Sequence, residues 1–276
     1  MPRDADELLA LLDLETIDDD LFRGAQMPTT RPIVFGGQVA AQALVAASRT
    51  VETPYAVHSL HSYFLQPGDP SVPTIYDVEN LRDGRSFVTR RVIAQQHGRP
   101  IYAQTLNFHK PESGYEHEEP MPAVPSPEES RPVGRRAHGE EHADEWDVAE
   151  IRRIDELEDD PTRPARQRVW LRVSSELPED PFWHAAAFTY LSDMTLTGAA
   201  LSAHGLSFGS GEVFVASLDH TIWFHRPFRA DDWWLYDQTS PAASNGRGLV
   251  LANVFSRGGR LVASVAQEAV IRKVRS

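Results

Sequence analysis

Three polar residues in this 276-residue chain stand where polar residues are costly. Asp193 is the single formally charged residue in "AAFTYLSDMTLTGAALSAHG", residues 186–205, a small-residue and largely apolar stretch that reads as one long helix. Helical spacing sets Thr189, Tyr190, Leu196 and Thr197 beside it, with Ala186 and Ala200 one turn further along. An ionised carboxylate on such a face needs partners, because an unpaired buried charge is expensive or shifts its pKa until it is neutral. Gln267 alternates with Ala263, Val265, Ala269 and Ile271, so the two-residue period of a strand puts its amide on an apolar face. A buried amide without partners costs roughly 1–3 kcal/mol. Ser217 shares a strand face with Val215. Taken singly, each has a bland explanation: an acid tied to backbone amides, a structural hydrogen bond, an ordinary strand serine. On elements that must pack together, the three can satisfy one another or hold a water, and a water held by a carboxylate is set up for general-base chemistry.

Four histidines are candidate bases: His58 and His61 in "VHSLHSYF", and His220 and His225 in "DHTIWFH". His58 is the best placed, since it begins a strand that should line the first apolar helix. The competing explanation is a histidine hydrogen-bonded near a subunit or domain contact. Asp219-His220 close to Ser217 suggests a triad, but successive strand side chains point oppositely, so a relay from His220 to Ser217 would be strained. No metal site is expected, since no "HExxH" or comparable acid-histidine cluster occurs. "FGGQ" lacks the spacing of a phosphate loop, and no Gly-x-Ser-x-Gly nucleophile elbow is present.

The elements that must hold these residues come in two similar sets. After an N-terminal helix around residues 4–13, "DDDLFRGAQ" approaches a short strand. "VFGGQVAAQALVAASRTV" reads as a helix with Gly36 and Gly37 at its start, where something needs close backbone approach. Strand-like runs follow from Val57, divided by turn signals at Pro67-Gly68-Asp69, Asp83-Gly84 and His97-Gly98. Residues 111–165 are rich in proline and acid without a sustained period and read as a linker; "WDVAEIRRIDEL" within it could be a strand or a short helix. Then comes the strand "RQRVWLRVSSEL", and Asp180-Pro181 and Gly205 suit the start and stop of the helix carrying Asp193. Four more strands close the chain.

Both halves therefore share the plan of strand, apolar helix and four strands. Local echoes support a duplication: Pro67 and Pro227 lie 160 residues apart, Gly84 and Gly246 162, and Gly98 and Gly259 161. The expected fold class is α+β, a double hotdog of two tandem helix-plus-antiparallel-sheet units. Residues 1–110 form the first, 111–165 the acidic linker with part of the second unit's first strand, and 166–276 the second. The helices are too few for a doubly wound βαβ sheet.

Composition excludes several classes. A net charge of -13 argues against a non-specific nucleic-acid binder, which would need a basic face, but leaves room for an anionic small ligand in a local arginine pocket. The absence of cysteine removes disulfides, thiolate nucleophiles and thiolate metal sites. The acidic, amphipathic "MPRDADELLALLDLE" is unlike a signal peptide, no segment reaches a membrane-spanning apolar length, and "KVRS" is not a Ser-Lys-Leu address. A cytoplasmic location is the expectation.

The pieces "LFRG", "VFGGQVAAQAL", "VHSLHSYFLQPGD", "IYDVENLRDGRSF", "YLSDMTL", "SLDHTIWFHRPF", "ASNGRG" and "LVASVAQEAVIR" resemble the acyl-CoA thioesterase II family along nearly the whole chain outside the acidic linker. The resemblance implies a double hotdog that hydrolyses fatty acyl-CoA to free acid and coenzyme A without metal or cofactor. It also implies a catalytic trio of Asp193, Ser217 and Gln267, with Ser217 where the family often has threonine. On this reading Gly37 begins a helix beside the thioester of the substrate or its counterpart site. His58 and Arg247, the latter in "SNGRGL", are further candidate contacts for substrate, Arg247 for the coenzyme A phosphates, against the competing explanation of ordinary surface charge in an arginine-rich chain. By analogy with hotdog sheets that pair edge to edge, a homo-oligomer is expected.

Two rival functions remain. A hotdog hydratase or dehydratase needs a carboxylate and a histidine across the Cα–Cβ bond, and the trio lacks the histidine. A non-catalytic acyl-CoA-binding protein would keep a tunnel without the chemistry; an intact trio counts against it.

Overall fold

A computed structural model describes residues 1–133, 147–154, 165–208 and 210–274. Its first half runs α1 (Ala5–Leu12), β1 (Glu15–Asp18), β2 (Leu21–Gly24), α2 (Gly36–Ser48), β3 (Ala56–Phe64), β4 (Thr74–Asp83), β5 (Phe87–Gln96) and β6 (Arg99–His109). The remainder runs β7 (Arg131–Val133), β8 (Ala149–Arg153), β9 (Ala165–Val173), α3 (Pro181–Ser192), α4 (Gly198–Ser202), β10 (Val213–Ser217), β11 (Asp219–Phe224), β12 (Trp234–Ser244), β13 (Arg247–Ser256) and β14 (Leu261–Lys273).

The strands form one continuous sheet, and each half lays out its share identically. The order is β2-β4-β5-β6-β3 in the first half and β9-β12-β13-β14-β11 in the second. The halves join where β3 pairs antiparallel with β11, and that register sets His61 opposite Thr221. These two residues are 160 apart, as are Pro67 and Pro227, so an approximate two-fold axis passes between them. Each half wraps its sheet around an apolar helix. Gly37 through Ala47 of α2 are all buried, as are His184 and Ala186 through Ser192 of α3. Full burial of a residue such as Leu44 or Val45 stabilises the fold by roughly 1.5–3 kcal/mol. This is the expected double hotdog.

The helix signals hold. The Asp180 side chain accepts from the Phe182 N–H, with Pro181 in the first turn of α3. Gly205, at φ +66°, closes α4, with the Leu206 N–H donating back to the Leu201 carbonyl. Asn245 and Gly246, at φ 49° and 73°, make the two-residue turn between β12 and β13.

Three features depart from the sequence reading. The helix carrying Asp193 is not continuous to Gly205: α3 stops at Ser192, and Asp193 is its C-cap. Bonds there shorten to an i→i−3 pattern, Met194 to Leu191 and Gly198 to Thr195. The Tyr236 hydroxyl donates to the Ser192 carbonyl and the Gln167 amide to that of Thr195, so the freed acceptors have partners.

The second departure lies in the acidic linker, part of which is tied down. Glu116 and Glu118 pair with Arg226 and Arg260, and Met121 and Val124 pack on a cluster containing Trp170, Trp233 and Leu235. The ambiguous "WDVAEIRRIDEL" supplies strand β8, which pairs with β9, while residues 134–146 and 155–164 lie outside those described.

The third is a bulge between β10 and β11. Ser217 pairs with Ala269 but Thr221 pairs with Ala266, so four residues advance against three on β14. The extra residue reverses the alternation, and both Ser217 and His220 turn their side chains inward.

Candidate active site

The residues around Asp193 come from both halves. Asp193 sits at the end of α3; Ser217 ends β10; Gln267 projects from the inner face of β14 between Val265 and Ala269. The Ser217 hydroxyl donates to Asp193 Oδ1 at 3.1 Å and the Gln267 Nε2 donates to the same oxygen at 2.9 Å. Gln267 Nε2 also donates to Ser217 Oγ at 2.5 Å. The structure thus brings Asp193, Ser217 and Gln267 together.

The first half supplies the opposite wall. α2 has no side-chain N-cap, so its leading N–H groups need partners, and the Gly37 N–H beside the Asp193 carboxylate helps hold its pKa down. A Cβ on Gly36 would lie 2.6 Å from Asp193 Oδ2 and 2.8 Å from the Phe64 ring; one on Gly37 would lie 2.2 Å from the Tyr190 carbonyl oxygen. Glycine at 36 and 37 is therefore what lets this helix end reach the carboxylate. Oδ1 carries the Ser217 and Gln267 bonds, while Oδ2 faces the Gly36 side.

Burial pushes the Asp193 pKa above the ordinary aspartate value; the nearby His220, the Gln267 and Ser217 bonds and the Gly37 N–H each pull it back. An ionised carboxylate held in this way can accept a proton from a water.

The remaining candidates lie elsewhere. His58 Nε2 is 3.0 Å from Asn107 Oδ1 and its ring meets Phe87 edge-on. It is six residues from Phe64, the β3 residue that touches the Gly36 position, which is about 20 Å along a strand. Arg247 pairs with Glu268 across the outer face of the sheet, opposite the face that carries Gln267. His61 also faces outward, its ring edge-on to Trp223.

His220, one of the four candidate bases, belongs to the site although a relay from it to Ser217 was expected to be strained. His220 is fully buried, with Nδ1 2.7 Å from Gln267 Oε1 and Nε2 2.8 Å from Ser192 Oγ. Unbroken alternation would point His220 away from Ser217, and the bulge removes that alternation. A usable signal existed: counted from Ile222 and Phe224, His220 is a polar residue on an apolar strand face, as Gln267 is. Among the described residues, no group of three His, Asp or Glu side chains could hold a metal ion, and no helix is long and apolar enough to cross a membrane.

Comparison with known proteins decides the family. The profile described as acyl-CoA thioesterase matches residues 138–270, and that of the acyl-CoA thioesterase N-terminal domain matches residues 24–109. The chain is 38% identical to acyl-coenzyme A thioesterase 8 of Mus musculus over 287 aligned positions, covering 95% of this chain and 88% of that protein. The chain belongs to the acyl-CoA thioesterase family. It is 37% identical to acyl-CoA thioesterase 2 of Haemophilus influenzae, covering 96% of each. The solved acyl-CoA thioesterase II of Mycobacterium marinum superposes with a TM-score of 0.84 at 42% identity, over 96% of this chain and 97% of that one. These matches span the sheet of both halves and α2 and α3, so family membership applies to the elements that build the Asp193 pocket.

Proposed function

We propose that this thioesterase hydrolyses a fatty acyl-CoA by direct attack of water on the thioester carbonyl, with Asp193 as the general base. The enzyme's class is that of its family: hydrolysis of an acyl-CoA thioester to the acid and coenzyme A. The observation supporting the residue assignment is the Asp193 carboxylate, whose Oδ1 is held by Ser217 and Gln267 while Oδ2 faces the glycine-opened start of α2. In the proposed step, the carboxylate accepts a proton from water as oxygen bonds to the carbonyl carbon. The tetrahedral intermediate then collapses, the C–S bond breaks, and the thiolate of coenzyme A leaves with a proton returned to it. Ser217 and Gln267 orient the base, and the Ser217 hydroxyl oxygen keeps a lone pair that can accept from the water. No acyl-enzyme is required.

The hydratase alternative is less well supported, although a histidine has joined the site. Both ring nitrogens of His220 are engaged, one with Gln267 and one with Ser192, and the ring is fully buried, leaving no free nitrogen for a substrate carbon acid. Thiol release across a panel of acyl-CoAs from short to long chain tests the proposal. Release that rises with chain length supports the fatty acyl class, and no release from any member overturns it. Binding to the native state alone also predicts stabilisation by about 2.7 kcal/mol at a hundredfold excess of acyl-CoA over Kd, with little effect of adenine nucleotides.

We also propose a homo-oligomer and the two-unit division within residues 111–165. Exposed Tyr63, Trp223 and Leu251 share the outer sheet face, which supports self-association; sedimentation or light scattering reporting a monomer at working concentration would argue against it.

A further inference from the structure

The hydrogen bonds around Asp193 continue away from the carboxylate, and their donors and acceptors can be counted. An ionised Asp193 accepts only, so Gln267 must turn its Nε2 toward Oδ1 and its two amide hydrogens serve Asp193 and Ser217. Gln267 Oε1 then points the other way, to His220 Nδ1 at 2.7 Å, and needs a donor there. Burial holds the His220 pKa below that of free histidine, against the pull of Asp193, so the ring is neutral and its one proton is on Nδ1. Nε2 is then an acceptor, and the Ser192 hydroxyl at 2.8 Å can turn to it from the Thr189 carbonyl at 3.0 Å. Every group in the sequence Ser192, His220, Gln267, Asp193 is satisfied in one direction only. With Gln267 flipped, its carbonyl would face the carboxylate at under 3 Å and its amide would face the Nδ1–H, two like contacts in a buried site.

We infer that His220 is a positioning residue for the hydrolysis: by donating from Nδ1 to Gln267 Oε1, it locks the glutamine amide in the orientation that holds Asp193 ready to accept a proton. This rests on the assignment of Asp193 as base. His220 touches no reacting atom; it acts through Gln267. The charged and titratable groups facing Asp193 are His220 from β11, Tyr102 from β6 and Tyr236 from β12; both tyrosines are buried and neutral, and Asp219 is the further group bearing on His220.

The test is a double-mutant cycle on the full chain, read by thiol release from the best acyl-CoA of the panel. His220→Leu should lower kcat by about 10- to 100-fold, the loss expected for one charge-assisted bond at the base, and leave KM within about twofold. Because a free Gln267 no longer holds the carboxylate ionised, the acid limb of the rate profile should move to higher pH. In a Gln267→Leu background the same substitution should change kcat by less than about threefold. His220→Asn, whose Nδ2 can replace Nδ1 as donor, should keep most of the activity and the wild-type acid limb. Equal losses in both backgrounds, or an unmoved acid limb in folded His220→Leu, would overturn the inference. If His220→Leu does not fold, His220→Asn decides alone: a loss as deep as that of Gln267→Leu overturns it. Asp193→Asn with wild-type turnover would remove the base assignment instead, a separate result.

Discussion

The two long helices end in opposite electrostatic company. Beyond the C-terminus of α2, the buried Arg90 guanidinium donates to the Thr50 hydroxyl and carbonyl at 2.8 and 3.1 Å and pairs with Asp83 at 2.6 Å. A cation there complements the negative end of the helix dipole. At the corresponding end of α3 stands the Asp193 carboxylate, the unfavourable sign for that position. The strands repeat the contrast. Leu60 of β3 pairs with Leu106 of β6, both buried, whereas β11 and β14 place His220 and Gln267 at the matching positions, 160 and 161 residues on. One copy of the duplicated unit closes its helix end with a cation and leucines. The other holds a carboxylate against its own helix dipole by means of Gln267, Ser217 and the start of α2. An unfavourable placement kept by dedicated partners is what supports proposing this copy as the reactive one.

Asp193→Asn tests that contrast most severely. Thiol release should fall roughly 10²- to 10⁴-fold, the usual worth of a positioned base. The stability consequence has a definite sign. Burial raises the folded-state pKa of Asp193, so the protonated form is favoured and its contribution is present in full below the ordinary aspartate value. It is lost as pH rises through the raised value, where an asparagine would have nothing to ionise. Denaturation curves should therefore show the variant gaining on wild type as pH rises through that window; a variant that loses stability across it would make Asp193 structural. Arg90→Met addresses the other helix end. It should cost roughly 1–3 kcal/mol by stranding the Thr50 groups, while kcat per folded molecule stays at the wild-type value. A kcat loss without a stability loss would show that the two ends do not divide the work.

Gly36→Ala is a finer probe, since its methyl would press on Asp193 Oδ2 and the Phe64 ring. We expect kcat to drop by about tenfold from misplacement at the base, with the fold retained. Ser217→Ala removes one of several bonds to Asp193, and a net bond of about 1 kcal/mol corresponds to roughly fivefold in kcat. Ser217→Thr should restore the rate; failure to do so would mean that more than the hydroxyl is needed.

Much of this was legible in the chain itself. Periodicity and turn chemistry are local, so the two apolar helices, the strands and the near-constant offset between halves could all be read from residue order. Asp193 and Gln267 were visible because a polar residue on an apolar face is a local anomaly. The residues that sequence reading left out of the site depend on partners remote in the chain. α3 breaks at Asp193, with Tyr236 and Gln167 from β12 and β9 taking up carbonyls near the break. The bulge after Ser217 exists because the Leu218 N–H reaches the Glu268 carbonyl while the Asp219 carboxylate takes the Glu268 N–H. That single extra residue turns His220 toward Gln267, and no period within the strand announces it. Residues 116–124 of the acidic segment show no period because their order comes from Arg226, Arg260 and the Trp170 cluster. Composition and spacing determined which groups were available for chemistry. Which of them face one another was decided by strand register and helix termination, because both are set by hydrogen bonds between segments that the sequence keeps far apart.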